Sequence, residues 1–285
     1  MKRKIAVLGG DQRQVCLARL LYEDGWNTVT WGLEKADTSL AVSLDRALEA
    51  EIVVLPLPVC RGEDLNLSLT DIRLPVNEVV KRLRPDQLIL GGMVRSLPEA
   101  FINGDCPKLY DYYDREEIQI FNAVPTAEGA IMRAIEKTQG TLYGSRCLVV
   151  GYGRIGKVLS HRLHHLGADV TVSARKRSDL AWGEVYGYRT VHTEKIVDRI
   201  GDYDLIFNTV PSMVLDAACL KEVKQSCILI ELASPPGGID REAVKEYNLH
   251  LLEERGLPGI IAPEASAKVI RDAIYHILEE QGERE

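Results

Sequence analysis

The 285-residue chain has no apolar run approaching the roughly 20 residues that a helix needs to cross a bilayer, so no helical membrane span is expected. It has no excess of basic residues. Lys and Arg number 35 against 42 Asp and Glu, a formal net charge of −7, which leaves no cationic field to draw nucleic acid. It has no CxxC pair among its six cysteines (Cys16, Cys60, Cys106, Cys147, Cys219 and Cys227) and no histidines at matching spacing. That argues against a zinc site and for free thiols in a reducing cytosol. No metal is expected. After the basic lead-in Met1–Lys4, the stretch Ile5–Leu8 is too short for a signal-peptide core and reads as a first strand. The expected location is the cytoplasm.

What is present is ordinary for a soluble globular protein, 46% apolar and 27% charged, long enough for one large or two modest domains. The most informative stretch runs from Cys147 to Ala174. An apolar run, Cys147–Val150, meets Gly151-Tyr152-Gly153-Arg154-Ile155-Gly156; a helical period follows, Gly167 stops it, and a second apolar run, Val170–Ser173, begins. Strand, glycine turn, helix and strand in that order form the context in which GxGxxG signals a dinucleotide. The first glycine permits the turn, the second admits a pyrophosphate, and the third lets helix and strand pack closely. The phosphates are then expected at the helix N-terminus.

The rest of the chain supplies two α/β units. Strands are expected at 5–8, 28–31, 52–55, 88–93 and 108–111, with helices at 12–24, 43–50 and 75–83 and a loop or small edge hairpin within 60–74. Asp114–Phe121 looks helical, Asn122-Ala123-Val124-Pro125 is expected to break it, and Thr126–Gln139 to form a new helix. The second unit continues with strands at 190–191, 205–208, 228–231 and 249–252, alternating with helices. The fold class is therefore α/β, with two Rossmann-like parallel-sheet domains, the second binding the dinucleotide. The expected boundaries are 1–122 for an N-terminal substrate domain, 123–142 for a bridging helix and 143–262 for the cofactor domain. A C-terminal helix at 263–285 should pack its apolar stripe back on the first domain.

Cofactor contacts are expected from Gly151, Gly153, Arg154, Ile155 and Gly156, and from Ala174 and Arg175 at the end of the second strand. Asn208, Thr209, Val210 and Pro211 follow the fourth strand and Leu232 the fifth. An NAD enzyme usually ends that second strand with an acid for the ribose 2′-hydroxyl. Here Ser173-Ala174-Arg175-Lys176-Arg177 has no acid before Asp179, which favours NADP over NAD through charge-assisted donors to a 2′-phosphate. Lys176 and Arg177 also fit a solvated basic loop. In the first unit, Arg13 and Gln14 lie on the first helical turn at the ligand edge of a parallel sheet. Asp11 fits a helix N-cap there. Asn122, Thr126 and Glu128 lie where the bridging helix is expected to enter a cleft. Glu128 is either a proton acceptor or an acid complementing a helix dipole.

These residues carry a family likeness. GGDQRQ at 9–14, FNAVPTAEGAI at 121–131, GYGRIG at 151–156 and SAR at 173–175 occur with NTVPSMVL at 208–215, LASPPGGID at 232–240 and GLPGIIAP at 256–263. Together they resemble the A-subunit family of dipicolinate synthase over nearly the whole chain. The resemblance implies the mother cell of a spore-forming bacterium and NADP-dependent formation of dipicolinate from 4-hydroxy-tetrahydrodipicolinate, off the lysine pathway. The partner it implies is the flavoprotein-like B subunit; the sequence leaves the oligomeric state open, a homo-oligomer included. Arg13, Gln14 and Asn122 would then bind the dicarboxylate, Thr126 would position a carboxylate and Glu128 would take a proton. The chain departs from the family pattern at Pro235 (Arg in the family), Ala123 (Ser) and Glu264-Ala265-Ser266-Ala267 (Lys-Thr-Ala-Gly). Two other readings are weighed. A 2-hydroxyacid dehydrogenase needs a late His paired with an acid, which GLPGIIAP lacks. A non-catalytic nucleotide-binding protein would only organise a partner enzyme.

Overall fold

Runs such as KIAVL, IVV, LILG and LIFN are short and apolar throughout, the pattern of strands buried on both faces of a parallel sheet. The computed structural model, which describes residues 3–97 and 108–282, contains two such sheets in separate units. One unit is Met1–Asn122 with Gly259–Glu285, the other Ala123–Pro258. Cys106 lies outside the described residues. Among the described residues no helix is long and apolar enough to cross a membrane.

The first unit's sheet has the order β2-β1-β3-β6-β7, with β1 Lys4–Leu8, β2 Asn27–Trp31, β3 Ile52–Val54, β6 Leu88–Gly91 and β7 Lys108–Asp111, all pairs parallel. The segment after β3 forms a two-residue antiparallel hairpin, β4 (Cys60–Arg61) against β5 (Asp64–Leu65). Helix α1 (Gln12–Glu23) begins at Asp11, whose carboxylate accepts from Arg13 N while Gln14 Oε1 accepts from Asp11 N, a reciprocal capping box. Short helices α2 (Leu44–Leu48) and α3 (Val76–Val80) complete the first half, α2 with Ser43 as N-cap. The last helix, Pro263–Glu280, buries Ala267, Ile270, Ala273, Ile274, Ile277 and Leu278 in one core with Leu17 and Leu21 of α1.

The helix expected to break at Asn122–Pro125 does not break. Helix α4 runs without interruption from Glu116 to Lys137 with Pro125 inside it. A proline in a helix interior removes one hydrogen bond and costs about 3 kcal/mol. Packing on either side of it in sequence offsets that cost. Ile118 is buried in the first unit's core, and Ala127, Ala130, Ile131 and Ala134 in the second's.

The second unit's sheet has the order β10-β9-β8-β11-β12-β13: β8 is Arg146–Val150, β9 Asp169–Ala174, β10 Arg189–His192, β11 Leu205–Asn208, β12 Ile228–Glu231 and β13 His250–Glu253. Every pair is parallel. This is the doubly wound order in which the chain reverses between the first and fourth strands, β8 and β11. Crevices for ligands open at such a reversal, outside the carboxyl ends of the strands. Helices α5 (Arg154–His165) and α6 (Arg177–Val185) follow β8 and β9.

The last helix should therefore contribute strongly to the first unit's stability. Ile274 is 0% exposed, and Ile274→Ala should cost about 2–5 kcal/mol by lost burial and a residual cavity. Denaturant unfolding would measure it, and a loss below about 1 kcal/mol would contradict this packing.

Candidate functional site

At the reversal in the second unit, the local sequence dictates a tight geometry. Gly151 leaves β8 with φ +96°, a conformation that side-chain-bearing residues rarely adopt. A Cβ at Gly156 would stand 2.1 Å from the Gly151 carbonyl oxygen, so only glycine lets α5 start this close to the strand. Gly153, the N-cap of α5, is exposed, and a Cβ built on it would meet nothing within 4 Å. Open space thus lies over the helix N-terminus. The N-cap makes no side-chain hydrogen bond and the first turn carries no acid, so the helix dipole at this end favours an anion. Tyr152 beside it is 6% exposed, and burial, then the nearby phenols of Tyr188 and Tyr186, push its pKa up to about 12. It stays neutral and adds no negative charge to the turn.

The loop after β11 closes on this turn. Thr209 N and Oγ1 both donate to the Val150 carbonyl at 2.9 Å, and Thr209 Oγ1 and Val210 Cγ2 stand 2.5 and 2.8 Å from where a Gly151 Cβ would be. The expected residues Gly151, Gly153, Arg154, Ile155 and Gly156 are thus brought together with Thr209 and Val210. Asn208 is 0% exposed and its amide is committed: Nδ2 donates to Val210 O (3.0 Å) and Glu231 Oε1 (2.7 Å), and Oδ1 accepts from Val210 N (3.2 Å). It shapes the loop rather than pointing at open space. Pro211 is exposed, while Leu232 and Ala174 are buried in the core.

At the end of β9, Arg175 is exposed, and among the described residues no carboxylate lies within ion-pairing distance of it. Its carbonyl is held by His192 Nε2 at 3.1 Å, and Ser173 Oγ lies 3.1 Å from Thr193 Oγ1. The strand end is fixed by these neighbours while the guanidinium stays available. Lys176 and Arg177 are also exposed.

The first unit's candidates are more committed than the sequence suggests. Arg13 is 8% exposed; Nε and Nη2 reach the two Asp11 oxygens at 2.9 and 2.8 Å, and Nη2 donates to the Leu57 carbonyl at 2.6 Å. Burial alone would lower its pKa, but the Asp11 hydrogen bond and charge raise it above the ordinary arginine value. Leu57 follows β3, so this bond spans the β1/β3 reversal of the first sheet. Gln14 is 0% exposed; its Oε1 accepts from Asp11 N, and its side chain opposes the burial that raises the pKa of the Tyr112 phenol. Asn122 Nδ2 donates to the Tyr113 hydroxyl at 3.3 Å.

In the second unit Thr126 is buried at 7% exposed, and Glu128 faces solvent on α4. Arg162 of α5 holds Glu128 Oε1 from Nε (3.3 Å) and Nη2 (3.1 Å). Of the family departures, Ala123 is buried and Glu264 pairs on the surface with Lys268 (3.1 Å) and Arg19 (3.6 Å). Two strand-end acids have contacts that the sequence does not assign to them. Asp111, at the end of β7, accepts from Met93, Val94, Tyr113 and Asp114 N. Glu231, at the end of β12, is 1% exposed and holds Asn208. Their only signal was an acid at the last position of a strand.

Comparison with known proteins agrees with this architecture. Residues 4–113 match the model described as the N-terminal domain of the dipicolinate synthase A subunit, and residues 122–246 the D-isomer specific 2-hydroxyacid dehydrogenase, NAD binding domain. The chain is 30% identical to the dipicolinate synthase A subunit of Bacillus subtilis (strain 168), with 97% of this chain and 96% of that protein covered. The crystal structure of the Bacillus subtilis dipicolinate synthase A chain gives a TM-score of 0.88 at 30% identity, covering 100% of this chain and 98% of that one. The crystal structure of its Bacillus halodurans counterpart gives 0.88 at 26% identity, covering 97% of each. The second unit is a dehydrogenase-type NAD(P)-binding domain.

Its affinity for a dinucleotide should depend on the missing Cβ at Gly156. Gly156→Ala is expected to weaken binding about tenfold or more, by forcing α5 away from β8. Fluorescence titration with reduced cofactor would read this, and unchanged binding would refute the close-packing argument.

Proposed function

Because the chain belongs to the A-subunit family of dipicolinate synthase, we propose that it catalyses an NADP-dependent oxidation that forms dipicolinate from 4-hydroxy-tetrahydrodipicolinate. The observation that carries the cofactor half of this reading is Arg175, an exposed cation at the end of β9 where an NAD enzyme usually has an acid. The substrate half rests on the family likeness, which takes in both units. The alternative of a 2-hydroxyacid dehydrogenase accounts for residues 122–246 only, whereas residues 4–113 match the A-subunit model.

In this reading the ring loses water, then one hydride and one proton as it becomes aromatic. Bound NADP⁺ supplies the hydride acceptor. The first turn of α5 presents its N–H groups to the pyrophosphate, and the open face at Gly153 leaves room for it. Arg175 gives charge-assisted hydrogen bonds to the 2′-phosphate. Glu128 takes the proton, with Arg162 fixing the orientation of its carboxyl group, and Thr126 orients a substrate carboxylate. In the first unit Arg13, Gln14 and Asn122 are the donors for the dicarboxylate. Arg13 acts there as a cation held in place by Asp11. The partner is a B subunit, and the setting is the mother-cell cytoplasm of a sporulating bacterium.

The direct test incubates the purified chain with 4-hydroxy-tetrahydrodipicolinate and NADP⁺, with and without the B subunit. Absorbance of NADPH and of the aromatic product should rise together. Absence of both, even with the partner, would leave a nucleotide-binding role only. Arg175→Ala should raise KM for NADP⁺ roughly 10- to 100-fold through the loss of a charged hydrogen bond worth about 1.5–3 kcal/mol, with little change for NAD⁺. An equal effect on both cofactors would refute the assignment of Arg175. Glu128→Gln should lower kcat by about 100-fold or more as a general base is lost. Unchanged turnover would remove Glu128 from the mechanism.

A further inference from the structure

Glu231 ends a strand of the sequence ILIE in which every residue is buried. Its Oε1 accepts from Asn208 Nδ2 at 2.7 Å and Ala233 N at 2.9 Å, and its Oε2 from Gly238 N at 2.8 Å and Ile239 N at 3.2 Å. Among the described residues no cation lies within ion-pairing distance of it. A carboxyl group withdrawn from water is costly unless hydrogen bonds replace its hydration, and here four N–H donors do so. Three of them are backbone groups of the segment that follows β12, and the fourth is the side chain that shapes the loop after β11.

These contacts continue to the glycine turn. Asn208, held by Glu231, grips Val210 through both its N–H and its carbonyl. Val210 and Thr209 in turn stand against Gly151. From the other side, a Cβ at Gly238 would lie 2.6 Å from Val210 O and 2.7 Å from both Asn208 Nδ2 and Ser212 O, so the β12 segment is pressed on the β11 loop. The Gly238 carbonyl also accepts from Val214 N and Leu215 N at 3.0 and 2.9 Å. One buried carboxyl group therefore fixes the loops after β11 and β12, and the first of these forms the floor under the first glycine of the fingerprint.

We propose that Glu231 is a positioning residue for the dinucleotide, acting through Asn208 to hold the 208–212 loop against the glycine turn. This rests on the dinucleotide reading of that turn. Glu231→Gln keeps the shape but exchanges one acceptor oxygen for an NH₂ group facing N–H donors. It should raise the dissociation constants of NADPH and NADH about tenfold, with KM for the cofactor moving more than kcat.

The experiment titrates wild type and Glu231→Gln with NADPH and with NADH by fluorescence, alongside thermal unfolding. A lower melting temperature with unchanged dissociation constants would overturn the proposal, since a merely structural clamp would give that result. Should Glu231→Gln not fold, Asn208→Ser, which removes one of the four donors, is read in the same way: a rise of about threefold or more supports the proposal and no rise overturns it. If the wild type binds neither dinucleotide, the underlying reading of the turn falls, and that outcome is distinct from a variant that binds as well as the wild type.

Discussion

The constraint on which the second unit depends is the contact between the N-terminus of α5 and the end of β8, where a Cβ at Gly156 would come within 2.1 Å of the Gly151 carbonyl. Removing two side chains lets a helix begin almost on top of a strand. Its N-terminus then lies over the sheet edge at the place where the strand order reverses. Everything else at that edge is arranged relative to it. The loop after β11 packs on Gly151, and the end of β9 presents Arg175.

Strand-end acids are the second recurring device. Glu231 in one unit and Asp111 in the other each close a strand and collect four N–H donors from neighbouring segments. Loops at the carboxyl edge of a parallel sheet have exposed backbone groups and little core to hold them. A carboxyl group with two oxygens can tie several such groups at once, which limits loop freedom before any ligand arrives. Asp11 does a related job at the N-terminus of α1, where it caps the helix and holds Arg13 across to Leu57. The segments at the edge of each sheet are thus tied by polar contacts as well as by packing.

Much of this could be read along the chain. Alternating apolar runs and helical periods located the strands of both sheets, because the central ones, such as KIAVL, IVV, LILG and LIFN, are short and apolar throughout. The fingerprint was legible because its glycines are local requirements of one turn. The helix break predicted at Pro125 failed for a physical reason: the local cost of a proline is fixed, but the burial of Ile118 and of Ala127–Ala134 that outweighs it comes from residues far away in sequence.

The sequence by itself determined the α/β class, the strand–glycine–helix unit at 147–174 and the cationic end of its second strand, since all of these are encoded within a few residues of one another. Only the tertiary structure decided how the polar side chains are used. Arg13 is committed to Asp11 and Leu57, Glu128 is turned outward to Arg162, and the Asn208 amide is spent on Val210 and Glu231. Apart from Asp11 and Val210, these partners lie 23 to 44 positions apart, and what joins them is the order of strands within a sheet and, for Glu128 and Arg162, the packing of two helices. That order is set by which crossovers bury the most apolar surface, a property of the whole unit that no local pattern carries.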